Sequence, residues 1–159
     1  MTVRIKVDLK LDNPRLPGEV GVAYAAGLFD GEGCVHIARQ KKATARRGHI
    51  FRLVVSVAQN NLDTLVDFQT LAGIAGRIYG SPRRGSSNRD TYSLNYDGKD
   101  AAALLETLRP FLRRKGDEAD VALNFQRNCQ LSRHFGPSGC PDHVWRQRER
   151  HYKKLRSLK

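Results

Sequence analysis

The sequence predicts an α+β domain in which helices cover one face of an antiparallel sheet and leave the other face polar. Three observations carry this. Apolar residues alternate with polar ones in four short central stretches, the period of a half-buried strand. Single stretches with helical spacing separate those strands into two pairs. The resulting order, α-β-β-α-β-β-α, closes most simply as a four-stranded antiparallel sheet under one helical layer. At 159 residues the chain suits one domain with a sizeable core.

The chain opens on a clean alternation, Val3, Ile5, Val7, Leu9 and Leu11 against Arg4, Lys6, Asp8 and Lys10. It reads as a strand-like arm over 1–16, outside the main repeat, ended by Asn13-Pro14 and Pro17-Gly18. Glu19 to Asp30 has helical composition, and the stretch Asp30-Gly31-Glu32-Gly33 closes it. Ala23, Gly27 and Gly31 recur at four-residue steps and share one face of that helix. Gly costs about 1 kcal/mol relative to Ala inside a helix. A face of Ala and Gly therefore predicts close approach of another backbone. Glu32 falls at the helix C-terminus, where the macrodipole disfavours negative charge and a metal cation would compensate it.

Gly33–Gln40 and Ile50–Ala58 alternate as strands joined by the basic loop KKATARRG. In the second, Phe51, Leu53, Val55 and Val57 face the core, while Ile50, Arg52, Val54 and Ser56 face outward. Asn60 or Asn61 caps a helix carrying Leu62, Leu65, Val66, Phe68 and Leu71. Gly76–Gly80 and Thr91–Tyr96 form the second strand pair, joined by SPRRGSSNRD. A helix from about Lys99 to Leu108 leads to Pro110-Phe111-Leu112, and another runs from about Asp117 to Cys129. After the break HFGPSGCPD, a last helix spans about 143–158. The core thus covers about 19–128.

Lys and Arg number 28 against 16 Asp and Glu, for a net charge of +12. That excess favours a polyanionic partner. Membrane insertion is excluded as a reading by the lack of any apolar run near the roughly 20 residues a span needs. The alternating, charged start resembles no secretory signal. Three cysteines, Cys34, Cys129 and Cys140, fit reduced thiols in an intracellular protein, with the compartment open. Cys129, His134, Cys140 and His143 cluster in sequence, but their spacing matches no common zinc pattern. They are read as loop residues without metal.

The outward sheet face and its loops collect side chains suited to base edges and phosphates. These are His36, Gln40, Lys42, Arg46, Arg47, Arg52, Ser56, Arg77, Tyr79, Arg83, Arg84, Thr91, Ser93 and Asn95. They are read as a surface for double-stranded DNA or another nucleic acid, against the alternative of an ordinary solvated sheet face; basic hairpin tips placed to reach phosphates favour the former.

The stretch Ala25-Ala26-Gly27-Leu28-Phe29-Asp30-Gly31-Glu32-Gly33 resembles the signature of the LAGLIDADG homing endonucleases. Gln59 at the end of the second strand, and Lys115 after Pro110-Phe111-Leu112, extend the resemblance to its single-motif branch. The resemblance implies a saddle-shaped sheet and a site-specific DNA endonuclease that hydrolyses phosphodiesters with Mg²⁺. It implies Glu32 and the Gly31 carbonyl as metal ligands, Gln59 as the residue that positions water, and Lys115 as a cation at the reacting phosphate. Oxygen donors shared with phosphate suit Mg²⁺. A single motif helix implies a homodimer through Ala23, Gly27 and Gly31, on a pseudo-palindromic site. Two departures stand out. Glu replaces the commoner Asp at the metal position, and Asn61-Leu62-Asp63 offers no second cation where some relatives carry one.

Two other functions compete. A non-catalytic nucleic-acid binder, such as an intron-splicing maturase, fits the missing cation. A basic ribosomal protein ranks last, since it predicts no acidic residue at a glycine-packed helix end. The final helix, with Arg146, Arg148, Arg150, Lys153, Lys154 and Arg156 around Trp145 and Tyr152, either grips flanking phosphates or packs through Trp145.

Overall fold

A computed structural model describes residues 2–6, 18–45, 47–81, 90–130 and 139–159. The elements run β1 (Val3–Ile5), α1 (Gly18–Glu32), β2 (Gly33–Lys41), β3 (His49–Gln59), α2 (Leu62–Ala72), β4 (Arg77–Ser81), β5 (Thr91–Asp97) and α3 (Gly98–Leu108). A 3₁₀ turn (Arg109–Phe111), α4 (Gly116–Phe125), a wide π turn (Gln126–Gln130) and α5 (Asp142–Ser157) complete the order.

The sheet is antiparallel throughout, in the order β1-β4-β5-β3-β2. Among the described residues it has five strands, not the four expected. Val3, Arg4 and Ile5 pair with Gly80, Tyr79 and Ile78, so the N-terminal arm joins the sheet at the outer side of β4. Alternation identified this strand correctly but says nothing about its partner. The rest of the arm as read, residues 7–16, lies outside the described residues.

The sheet separates its two faces by parity, as the sequence requires. Val35 and Ile37, Phe51 to Val57 at odd positions, Ile78, Leu94 and Tyr96 point to one side and are buried. Ala25, Ala26 and Phe29 of α1 lie over them, with Leu65, Phe68 and Ala72 of α2 and Leu104, Leu105 and Leu108 of α3. Each such Leu, Val or Phe contributes about 1.5–3 kcal/mol by leaving water. Asn61 caps α2, its Oδ1 accepting from the Asp63 amide at 2.9 Å. Gly73, at φ +68°, ends the helix in the left-handed conformation.

Gly33, where α1 turns into β2, admits no side chain. A Cβ there would sit 2.4 Å from the Phe29 ring and 2.5 Å from the Phe29 carbonyl oxygen. This collision fixes how tightly strand follows helix, and so places the helix end beside the sheet.

Candidate active site and nucleic-acid interface

Helix α1 is two-sided. Gly21, Ala25, Ala26 and Phe29 are buried, while Val20, Tyr24, Gly27 and Gly31 form an exposed stripe with Ala23 half-buried beside it. Val20 is 62% and Tyr24 56% exposed, unusual for large apolar side chains. A Cβ on Gly27 or Gly31 would meet nothing within 4 Å among the described residues. The small-residue face is therefore open, not packed within the fold. Val20 and Tyr24 escaped the sequence reading, although their spacing to Gly27 and Gly31 was there to find.

Helix α1 extends beyond the expected Asp30 to Glu32, its last residue, which is exposed. Among the described residues Glu32 has no ion-pair partner, although the macrodipole disfavours a carboxylate at this end by about 0.3–1 kcal/mol. Asp30, one turn-edge earlier, faces the opposite way. Its Oδ2 accepts from the Arg113 and Arg114 amides at 2.7 and 3.1 Å, and its Oδ1 from the Lys115 amide at 2.9 Å. Partial burial alone would raise the Asp30 pKa. The bonds from Arg113, Lys115 and Arg114, with the Lys115 charge, outweigh it and hold the carboxyl below its usual range.

Lys115 is only 6% exposed, which removes the reading of a solvated surface charge. Its Nζ donates to the Asp30 carbonyl oxygen at 2.6 Å, setting a cation on the negative pole of α1. Gln59 closes β3. Gly33 pairs with Val57, so Gln59 lies two residues further along, beyond the start of β2 and on the side where α1 ends. It is half-buried and shares the parity of Val55 and Val57, the helical side of the sheet. The fold thus brings Gln59 and Lys115 toward the end of α1 that bears Gly31 and Glu32. Across from them Asn61 caps α2 and Asp63 occupies its first turn, so no cation comes from there.

The other sheet face is open, and its register forms rows. Cys34, Ser56, Asn95 and Arg77 lie side by side across four strands. Ala58, Ser93, Tyr79 and Arg4 form the next row, and His36, Val54 and Asp97 the row on the other side. Gln40, Arg52 and Thr91 share this parity. Nine of the expected DNA-contacting residues therefore occupy one surface. Ser93 Oγ donates to Asn95 Oδ1 at 3.0 Å. Lys42 lies exposed in the β2–β3 loop, whose backbone closes through its amide on the Gly48 carbonyl at 2.9 Å. Arg46, Arg83 and Arg84 lie outside the described residues. Arg47 is committed elsewhere: it pairs with Asp142, and its guanidinium carbon stands 5.1 Å from the centre of the Trp145 ring. Arg4 and Asp97 were missed; both needed the strand pairing to be seen.

Helix α5 packs through Trp145. That ring lies 5.1 Å from Phe51 and 4.6 Å from His49, and Tyr152 lies 5.5 Å from Phe51. Of the residues once grouped as a possible zinc set, Cys140 donates weakly to the Pro141 carbonyl oxygen at 3.6 Å and His143 is exposed. His134 and the Cys129 side chain lie outside what is described. Cys34 sits beside His36 (4.0 Å) and accepts from Lys159 Nζ (3.2 Å).

The donors near the end of α1 fit a hard divalent cation. Glu32 offers a carboxylate, and the last carbonyls of a helix, Gly31 included, lack intrahelical partners. Among the described residues no group of three or more His, Cys, Asp or Glu converges. None of the described helices is long and apolar enough to cross a membrane.

The model of the LAGLIDADG-like domain matches residues 19–109, more than half of the chain. No curated protein matches. Among solved structures, the homing endonuclease I-CvuI, in complex with its target in the presence of Ca, superposes with a TM-score of 0.68 at 21% identity. The match covers 87% of this chain and 81% of that one. The archaeal intron-encoded homing endonuclease I-Vdi141I, complexed with DNA, gives a TM-score of 0.67 at 17% identity, over 87% of this chain and 83% of that one. I-GzeII, in complex with a DNA target, gives 0.61 at 14% identity, over 85% of this chain but 43% of its own. At these identities the likeness is one of fold, while the family model spans both the signature helix and the two strand pairs. The protein belongs to the LAGLIDADG family.

Proposed function

We propose that the protein is a homodimeric, metal-dependent DNA endonuclease of the homing type that makes a double-strand break in a long pseudo-palindromic site. The observation that carries this reading is the end of α1, where Glu32 is exposed with no ion-pair partner among the described residues and a buried Lys115 is fastened to the same helix terminus through the Asp30 carbonyl. Lys115 braces the end of α1 through Asp30, and the same fixed cation would stabilise the charge that develops on a reacting phosphate.

When bound, a divalent metal neutralises phosphate charge and acidifies water. Glu32 and the Gly31 carbonyl would hold that metal. Gln59, with one donor and one acceptor group on its amide, orients the attacking water. Lys115 faces the transition-state charge. The exposed stripe Val20, Tyr24, Gly27 and Gly31 meets the same stripe of a second copy, which brings a second Glu32 to the shared site. The length of I-GzeII supports this, since one chain of the present protein spans under half of it.

The start of α2 favours a second reading. With Asn61 capping and Asp63 following, no second cation reaches the site from that helix, as expected of a nucleic-acid binder that does not cut. Cleavage of the intronless host allele with Mg²⁺, comparing wild type with Glu32→Gln, separates the two. Cutting by wild type alone supports the endonuclease. Tight binding without cutting by either protein establishes the binder.

A further inference from the structure

On the open face, one acidic side chain stands among the cations assigned to DNA. Asp97 Oδ2 pairs with Arg52 at 3.1 Å and also with Arg77. The register explains the convergence. Asp97 is opposite Val54 on β3, so Arg52 lies two residues along that strand; Asn95 is opposite Arg77, so Arg77 lies on the other diagonal. The carboxylate is 17% exposed, while its two partners are 39% and 45% exposed.

A second observation points the same way. Asp97 occupies the N-cap of α3, with extended backbone angles (φ −127°, ψ 147°), a position where aspartate usually accepts from the helix amides. Here its side chain makes no cap hydrogen bond. The carboxylate is turned from the helix to the arginines.

We infer that Asp97 is a specificity-determining positioning residue, which holds Arg52 and Arg77 against the sheet and withholds their charge from DNA backbones of arbitrary sequence. The inference rests on the DNA-binding reading above. A guanidinium tied to a carboxylate neutralises a phosphate only after exchanging partners, so contacts of no sequence value weaken. An arginine fixed in orientation still offers its outer N–H pair to a guanine edge, where geometry discriminates. The fixed negative charge also repels any backbone that settles onto the centre of the face.

The test measures binding of wild type, Asp97→Asn and Asp97→Asn/Arg77→Gln to a random-sequence duplex and to a duplex chosen by selection from a DNA library, across a salt series. Asparagine caps a helix as well as aspartate, so α3 is retained, and thermal melting checks this. For Asp97→Asn, affinity for the random duplex is expected to rise about tenfold at low salt. The log K against log salt slope is expected to steepen by up to about 2, since each freed cation that reaches a phosphate adds about 0.9. The preference for the selected site falls accordingly, and the added Arg77→Gln removes about half of the extra slope. A merely structural role would leave the slope unmoved. If wild type binds DNA and the variant's slope and random-duplex affinity are unchanged, the inference is overturned while the DNA-binding reading stands. If wild type binds neither duplex, both fall.

Discussion

Lys115 bonds Asp30 twice, its amide to the carboxylate at 2.9 Å and its ammonium to the backbone carbonyl at 2.6 Å. The turn after α3 and the end of α1 are thereby locked together, and the carboxylate that does so is not Glu32. Asp30→Ala would strip the acceptor from three amides. We expect a loss of about 2 kcal/mol in urea unfolding, at the lower end for three bonds because water reaches the Arg113 and Arg114 amides. On the endonuclease reading, cleavage should fall much further than stability does. The depressed Asp30 pKa fixes the sign of its pH dependence: its contribution is complete above about pH 4, the unfolded value, and fades as pH drops through the lower folded one.

Gly27 and Gly33 should respond oppositely to substitution. Gly33→Ala drives a Cβ onto the Phe29 carbonyl oxygen, and the backbone cannot move aside as a side chain would. A destabilisation of about 3 kcal/mol or more is expected, read by chemical denaturation. At Gly27 a Cβ meets nothing within 4 Å among the described residues, so with Gly27→Leu the isolated fold should keep or gain up to about 1 kcal/mol. On the homodimer reading, light scattering should nevertheless show a monomer, because the new side chain would occupy the space a second α1 needs.

Trp145→Ala empties the contact between α5 and the β2–β3 hairpin. With Phe51, His49 and Arg47 all resting on that ring, the expected cost is about 3–5 kcal/mol, visible as a lowered thermal midpoint. Alanine at exposed Arg146 or Arg150 should leave the midpoint within about 0.5 kcal/mol.

Cys34 should be an unusually reactive thiol. The His36 ring lowers its pKa most; burial opposes this, and Lys159 adds to the lowering, for a value of about 7. Alkylation by iodoacetamide should therefore rise with a midpoint near pH 7, where an ordinary thiol titrates at about 8.5. Removing Lys159 should move the midpoint upward.

Much of this fold was legible because period-two alternation survives in strands with one wet face. Phe51, Leu53, Val55 and Val57 went inward as read, and Ser56 and Arg52 outward. What stayed hidden depended on contacts between distant segments. Nothing in Val3–Ile5 names β4 as its partner, and nothing around Asp97 names Arg52 and Arg77. The last core helix ended at Phe125, not Cys129, because a wide π turn interrupts it, and its residues look helical locally. At the candidate site, Glu32, Gln59 and Lys115 were found by resemblance. The burial of Lys115 and its fastening to Asp30 were visible only in three dimensions.

The pairing of β1 with β4 lengthens the molecule's reach. Neighbouring strands are spaced about 4.8 Å apart, so one added strand carries the open face about 5 Å outward, roughly one and a half base steps of a duplex. On the DNA-binding reading, Arg4 then touches positions that the four central strands do not cover. On the same reading, a chain trimmed to begin at Gly18 should tolerate changes at the outermost bases that the full chain refuses.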